Sequence, residues 1–104
     1  MTEHPGVVFR EGPTGRRAGL AGGADVWEIV RAVRSARTAE PGLDQDEVLA
    51  LVTSNTGTPV HLVRTAIRYW ASYPDEINHE IDAAMAAEEA AEEAWRREHD
   101  LLAG

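Results

Sequence analysis

A mostly α-helical fold with a short N-terminal β-hairpin, a helix-turn-helix body and a long C-terminal helix is predicted by three observations. Apolar residues recur at i, i+3, i+4 and i+7 in successive stretches after Asp25, the periodicity of amphipathic helices. Helix-start residues stand ahead of these stretches, and Gly or Pro breakers divide them. Before Asp25, two short apolar or mixed runs flank a Gly-Pro-Gly turn.

The hairpin occupies residues 7 to 20. Val7-Val8-Phe9-Arg10 and Arg16-Arg17-Ala18-Gly19-Leu20 flank Glu11-Gly12-Pro13-Thr14-Gly15, where glycine supplies positive φ and proline presets a turn dihedral. A hairpin of this size is unstable alone, so it must pack on helices or pair with a second copy. Asp25 and Glu28 then have the N-cap and N3 spacing of a capping box, opening a first helix whose buried stripe is Val26, Ile29, Val30 and Val33. Arg31, Arg34 and Arg37 lie off that stripe, and Thr38-Ala39-Glu40-Pro41-Gly42 ends the helix because proline disfavours helical geometry in the residue before it.

Asp44 and Glu47 repeat the capping-box spacing ahead of a short helix with Val48, Leu49, Leu51 and Val52 on its buried face. Ser54-Asn55-Thr56-Gly57 is a turn, and Thr58-Pro59 restarts a helix with a capping hydroxyl followed by proline at the first helical position. Helix, tight glycine turn and helix make a helix-turn-helix unit. In the second of these helices Val60, Val63, Ile67 and Trp70 share a face expected to enter the core. His61, Arg64, Thr65 and Arg68 share another, with side chains suited to phosphates and base edges. No acid lies between Thr58 and Ser72. Thr58 at the helix start and Arg16 and Arg17 on the hairpin complete the set of expected DNA contacts.

Tyr73-Pro74-Asp75-Glu76 starts the final helix, with acids beside the positive end of the helix dipole. Ile77, Ile81 and Met85 are expected to anchor its beginning. From Ala83 it is alanine-rich, and Glu88, Glu89, Glu92 and Glu93 form two like-charged i, i+4 pairs, so it can be helical without being firmly docked. Met85, Trp95, Arg96, Arg97, Leu101 and Leu102 are the expected partner-binding residues, of types favoured in interface hot spots.

The chain has 104 residues, the size of one domain, and is 43% hydrophobic and 27% charged, which suits a globular protein. Its absence of cysteine excludes disulfides, thiolate metal sites and cysteine nucleophiles. No apolar run is long enough to span a membrane, and the N-terminus lacks the basic and apolar parts of a secretory signal, so a cytoplasmic protein is expected. The net charge of -8 is unevenly placed: residues 1 to 73 are neutral, while residues 74 to 104 hold ten acids against Arg96 and Arg97. That asymmetry suggests a balanced body, here residues 1 to 76, carrying an acidic arm, residues 77 to 104, that avoids polyanions or seeks a basic partner. His4, His61, His79 and His99 have no metal-ligand spacing, and the glycines match neither a dinucleotide-binding nor a Walker pattern. Neither an enzyme nor a cofactor is expected.

The order of elements resembles a known group. Val7-Val8-Phe9 through Gly12, Gly22-Gly23-Ala24-Asp25-Val26-Trp27 and Tyr73-Pro74-Asp75-Glu76-Ile77 are similar to segments of VapB-like antitoxins of the domain-of-unknown-function 433 family, over roughly residues 4 to 80. The stretch Leu20-Ala21-Gly22-Gly23 departs from the Gly-Thr-Arg-type segment usual there. The resemblance implies a winged-helix-like body that dimerises and binds operator DNA. It also implies a C-terminal segment that covers the active site of a PIN-like ribonuclease toxin. Two alternatives stay open: a stand-alone homodimeric transcriptional regulator, and an interaction adaptor that binds no DNA.

Overall fold

The computed structural model describes residues 5–12 and 15–104. His4 and the turn residues Pro13 and Thr14 lie outside the described residues. Strands β1 (Val7–Gly12) and β2 (Gly15–Leu20) pair antiparallel, from Val7 opposite Leu20 to Gly12 opposite Gly15. Four helices follow among the described residues: α1 (Val26–Ala39), α2 (Gln45–Thr56), α3 (Val60–Ser72) and α4 (Pro74–Ala103). The mostly helical fold with an N-terminal hairpin and a long last helix is therefore as the sequence predicts. No described helix is long and apolar enough to cross a membrane.

Local chemistry accounts for the helix boundaries. The Asp25–Glu28 capping box forms, with the backbone N–H of Asp25 donating to Glu28 Oε1 at 2.9 Å. The Asp44–Glu47 box is reciprocal: Asp44 N–H donates to Glu47 Oε1 at 2.9 Å, and Glu47 N–H to Asp44 Oδ1 at 2.8 Å. Gly57 closes α2 at φ +71°, a left-handed conformation that costs glycine no Cβ clash. Pro74 occupies the first turn of α4. The start of α3 differs from expectation: Pro59, not Thr58, is the N-cap, its carbonyl accepting from Leu62 and Val63, and no hydroxyl caps this helix.

α1 is the central element, touching α2, α3 and α4 and meeting β2 at its start. Val26, Ile29, Val52, Val63, Leu20 and Ile77 are almost completely buried and form the centre of the core. Ile77 and Ile81 bind α4 to this core, whereas Met85 is largely exposed, so the anchoring expected of Met85 does not occur. The packed body consequently extends past residue 76 to about Ile81, into the segment that charge alone assigns to the arm.

Asp25 fastens the hairpin to the helices. Arg10 and Arg17 face each other across the strands, a like-charged pair that would be repulsive alone. The Asp25 carboxylate lies 3.1 Å from Arg10 and 3.7 Å from Arg17, and also accepts from Trp27 Nε1 at 3.2 Å. Gly19 allows this arrangement, because a Cβ there would collide with the Arg10 guanidinium.

Candidate nucleic-acid interface and interaction arm

The residues expected on the exposed face of α3 divide into two groups. His61, Arg64 and Arg68 are exposed. They recur at i, i+3 and i+7 and so form one row directly after the α2–α3 turn. Among the described residues Arg68 makes no ion pair, and Arg64 has only Asp46 of α2, 3.7 Å away with both side chains largely exposed. A pair of this kind contributes little and yields readily to a stronger anion.

Thr65 and Thr58 are corrections to the expected interface, each being only 8% exposed. The Thr65 hydroxyl donates to the His61 carbonyl at 2.9 Å, and its methyl group is among the nearest atoms to Gly6 at the base of the hairpin. Thr58 is held in the α2–α3 turn, its N–H donating to Thr56 Oγ1 at 3.2 Å. Neither side chain is presented outward. The reason is a rotation of α3 from its expected setting: Val63, Ala66 and Tyr69 are buried, Ile67 and Trp70 are half-buried, and Val60 is 45% exposed. The shift is about one residue, or ~100° around the helix. α3 packs on α1 along one side and beneath the hairpin along another, and the second contact draws Thr65 inward.

The hairpin arginines also divide. Arg16 is exposed, with its guanidinium 4.2 Å from the centre of the Phe9 ring. Arg17 is half-buried beside Asp25 and belongs to the hairpin clamp rather than to an open cationic surface. Of the seven residues expected to contact DNA, His61, Arg64, Arg68 and Arg16 are outward-facing, and Arg16 stands on the hairpin, apart from the α3 row.

Sequence periodicity misses Arg37. Its neighbours on α1 are committed elsewhere: Arg31 donates twice to Glu88 at 2.7 Å, and Arg34 donates to Asn78 while its guanidinium lies 5.7 Å from the Trp70 ring centre. Arg37 instead borders a groove of about 340 Å³ between α1, α2 and α3, together with Arg64 and Arg68. Val33, Val48, Leu49 and Ile67 line its apolar part. Only the position of Arg37 one turn after Val33 hints at this in the sequence, and it gains meaning once α3 is docked alongside.

The second candidate surface is the distal part of α4. The expected partner-binding residues Met85, Trp95, Arg96, Arg97, Leu101 and Leu102 are all exposed, as is every residue from Met85 onward. Trp95 is 57% exposed and lies against His99, the ring centres 3.8 Å apart. Arg96 pairs with Glu92 at 2.6 Å and Glu93 at 3.4 Å, and Arg97 with Glu93 at 3.6 Å, so both arginines relieve the local glutamate repulsion. Glu88 is held by Arg31, which keeps its carboxylate below the usual range, chiefly through their hydrogen bonds.

A third group of ionisable residues lies where α3 meets the start of α4. The Tyr69 hydroxyl donates to the Glu76 carboxylate at 2.9 and 3.1 Å, and burial, with Glu76 beside it, pushes the phenol well above its ordinary value. Both carboxylate oxygens of Glu80 are buried without a hydrogen-bond partner. Burial first, then the nearby Glu76 and Asp25, raises the Glu80 carboxyl above the ordinary glutamate range, with Arg17 opposing. Among the described residues no group of three His, Asp or Glu side chains is arranged to hold a metal ion. Comparison with protein families, curated proteins and solved structures finds no match.

Proposed function

We propose that this chain is an antitoxin and autorepressor, binding operator DNA through α3 and neutralising a PIN-like ribonuclease toxin through the distal part of α4. The observation carrying the DNA-binding half is the row His61, Arg64 and Arg68, exposed on the helix that follows a three-residue turn. A helix so placed can enter a major groove, where arginine reads guanine and engages phosphates. The antitoxin half is supported by the resemblance to VapB-like proteins and by the distal part of α4, which is acidic, exposed from Met85 onward and tipped with apolar side chains. A ribonuclease must attract a polyanion, so a glutamate-rich helix suits its substrate channel. The proposed antitoxin acts in the cytoplasm as a homodimer, without catalysis of its own.

Co-expression with the product of the adjacent reading frame, followed by affinity purification, tests the assignment. The full chain should retain a small ribonuclease and suppress its activity, whereas a chain ending at Ala87 should lose the ribonuclease and keep operator binding. A chain that retains no ribonuclease but binds DNA is the stand-alone regulator; one that binds no DNA is the adaptor. Either result refutes the proposal.

A further inference from the structure

We propose that the groove between α1, α2 and α3 receives the tip of α4 from a second copy of this chain. The exposed tip and the groove, whose buried and half-buried apolar lining is bordered by three exposed arginines, are complementary in shape class and in charge. On the tip, Ala91, Ala94, Trp95, Glu98, Leu101 and Leu102 recur at helical spacing and form one stripe with a single carboxylate in its middle. Leu101 and Leu102 are 82% and 79% exposed. The tip arginines are engaged with Glu92 and Glu93, while Glu98 makes no ion pair among the described residues.

The groove offers the counterpart: Val33, Leu49 and Ile67 as apolar lining, with Arg37, Arg64 and Arg68 around it. An amphipathic helix laid into an apolar groove, its one acid meeting a cationic rim, is a recurrent recognition mode. Burying the leucines removes apolar surface from water, and the arginines fix the register through Glu98.

The occupant must come from another copy. Arg31 pairs with Glu88 and Arg34 donates to Asn78, contacts that hold the first half of α4 against α1, while every residue from Met85 onward is exposed. The fifteen helical residues after Glu88 continue the same helix for about 22 Å, and none of them lines the groove of its own chain. A continuous helix cannot bring its own tip there. Reciprocal exchange between two copies would close a two-fold dimer.

This inference stands whether or not α3 reads DNA. If it does, the docked tip and DNA compete for Arg64 and Arg68. The full chain is tested by sedimentation equilibrium: it should dimerise, Glu98→Arg and Arg68→Glu should each weaken the dimer by about tenfold or more, and the two combined in one chain should restore it. Because the chain has no cysteine, Gln45→Cys at the groove mixed with Ala103→Cys at the tip should give a specific disulfide-linked pair. Asp82→Cys mixed with Ala103→Cys should not. A wild-type chain that stays monomeric, association indifferent to Glu98→Arg, or cross-linking no faster than the control would overturn the inference. Loss of DNA binding with intact self-association would count against the operator reading alone.

Discussion

The replacement of Arg64 and Arg68 by alanine gives the sharpest test of α3 as a DNA-contacting helix. Neither arginine supports the fold: both are exposed, Arg68 has no ion pair among the described residues, and Arg64 loses only its exposed contact with Asp46 at 3.7 Å. The double variant should therefore melt within about 1 kcal/mol of the parent. If each arginine neutralises one phosphate, removing two lowers the magnitude of the slope of log K against log salt by ~1.8. Between 50 and 200 mM salt, a fourfold change, the ratio of parent to variant affinity should then shrink by about 12-fold. Asp46→Asn should act oppositely, raising affinity by removing a negative charge beside Arg64. Fluorescence anisotropy with the chain's own upstream DNA, at several salt concentrations, gives both slopes. Equal slopes for parent and double variant, with folding intact by circular dichroism, would refute the assignment of these arginines to phosphate contact.

Two further outcomes concern the body. Ile77→Ala should destabilise the protein by about 2 to 5 kcal/mol in urea denaturation, because this fully buried side chain joins α4 to the core and its removal leaves a cavity; a loss below about 1 kcal/mol would show that α4 is not held there. Glu80→Gln should stabilise the protein at neutral pH. The folded-state pKa of Glu80 is raised, so the folded state takes up a proton more readily than the unfolded state. The destabilising contribution is absent below the unfolded value, grows as pH rises towards the folded one, and is complete above it. The advantage of Gln should thus fade as pH drops through the ordinary glutamate range. A variant less stable than the parent at neutral pH would contradict this account of the buried carboxylate.

Asp25 illustrates why residue roles multiply on folding. Its spacing from Glu28 already identifies a helix cap, a local task needing only neighbouring residues. In the folded protein the same carboxylate also reconciles Arg10 and Arg17 across the hairpin and accepts from Trp27. Arg17 is thereby withdrawn from the set of free surface cations, although nothing in its own sequence neighbourhood distinguishes it from Arg16.

Much of the architecture is dictated locally. The capping boxes at Asp25 and Asp44, the glycine stop at Gly57, Pro74 in the first turn of α4 and the two hairpin runs follow from hydrogen-bonding demands and backbone sterics, which act over three or four residues. The exposure of His61, Arg64 and Arg68 was legible for the same reason, since i, i+3 and i+7 spacing fixes which side chains share a face. The rotation of α3 was not. Apolar periodicity alone ranks Val60, Ile67 and Trp70 with Val63, but the buried arc depends on which neighbours approach, and the hairpin at Gly6 draws Thr65 into the body. Likewise Arg37, Arg64 and Arg68 are brought to one groove only by the packing of α1 against α2 and α3, a long-range arrangement that no local spacing encodes.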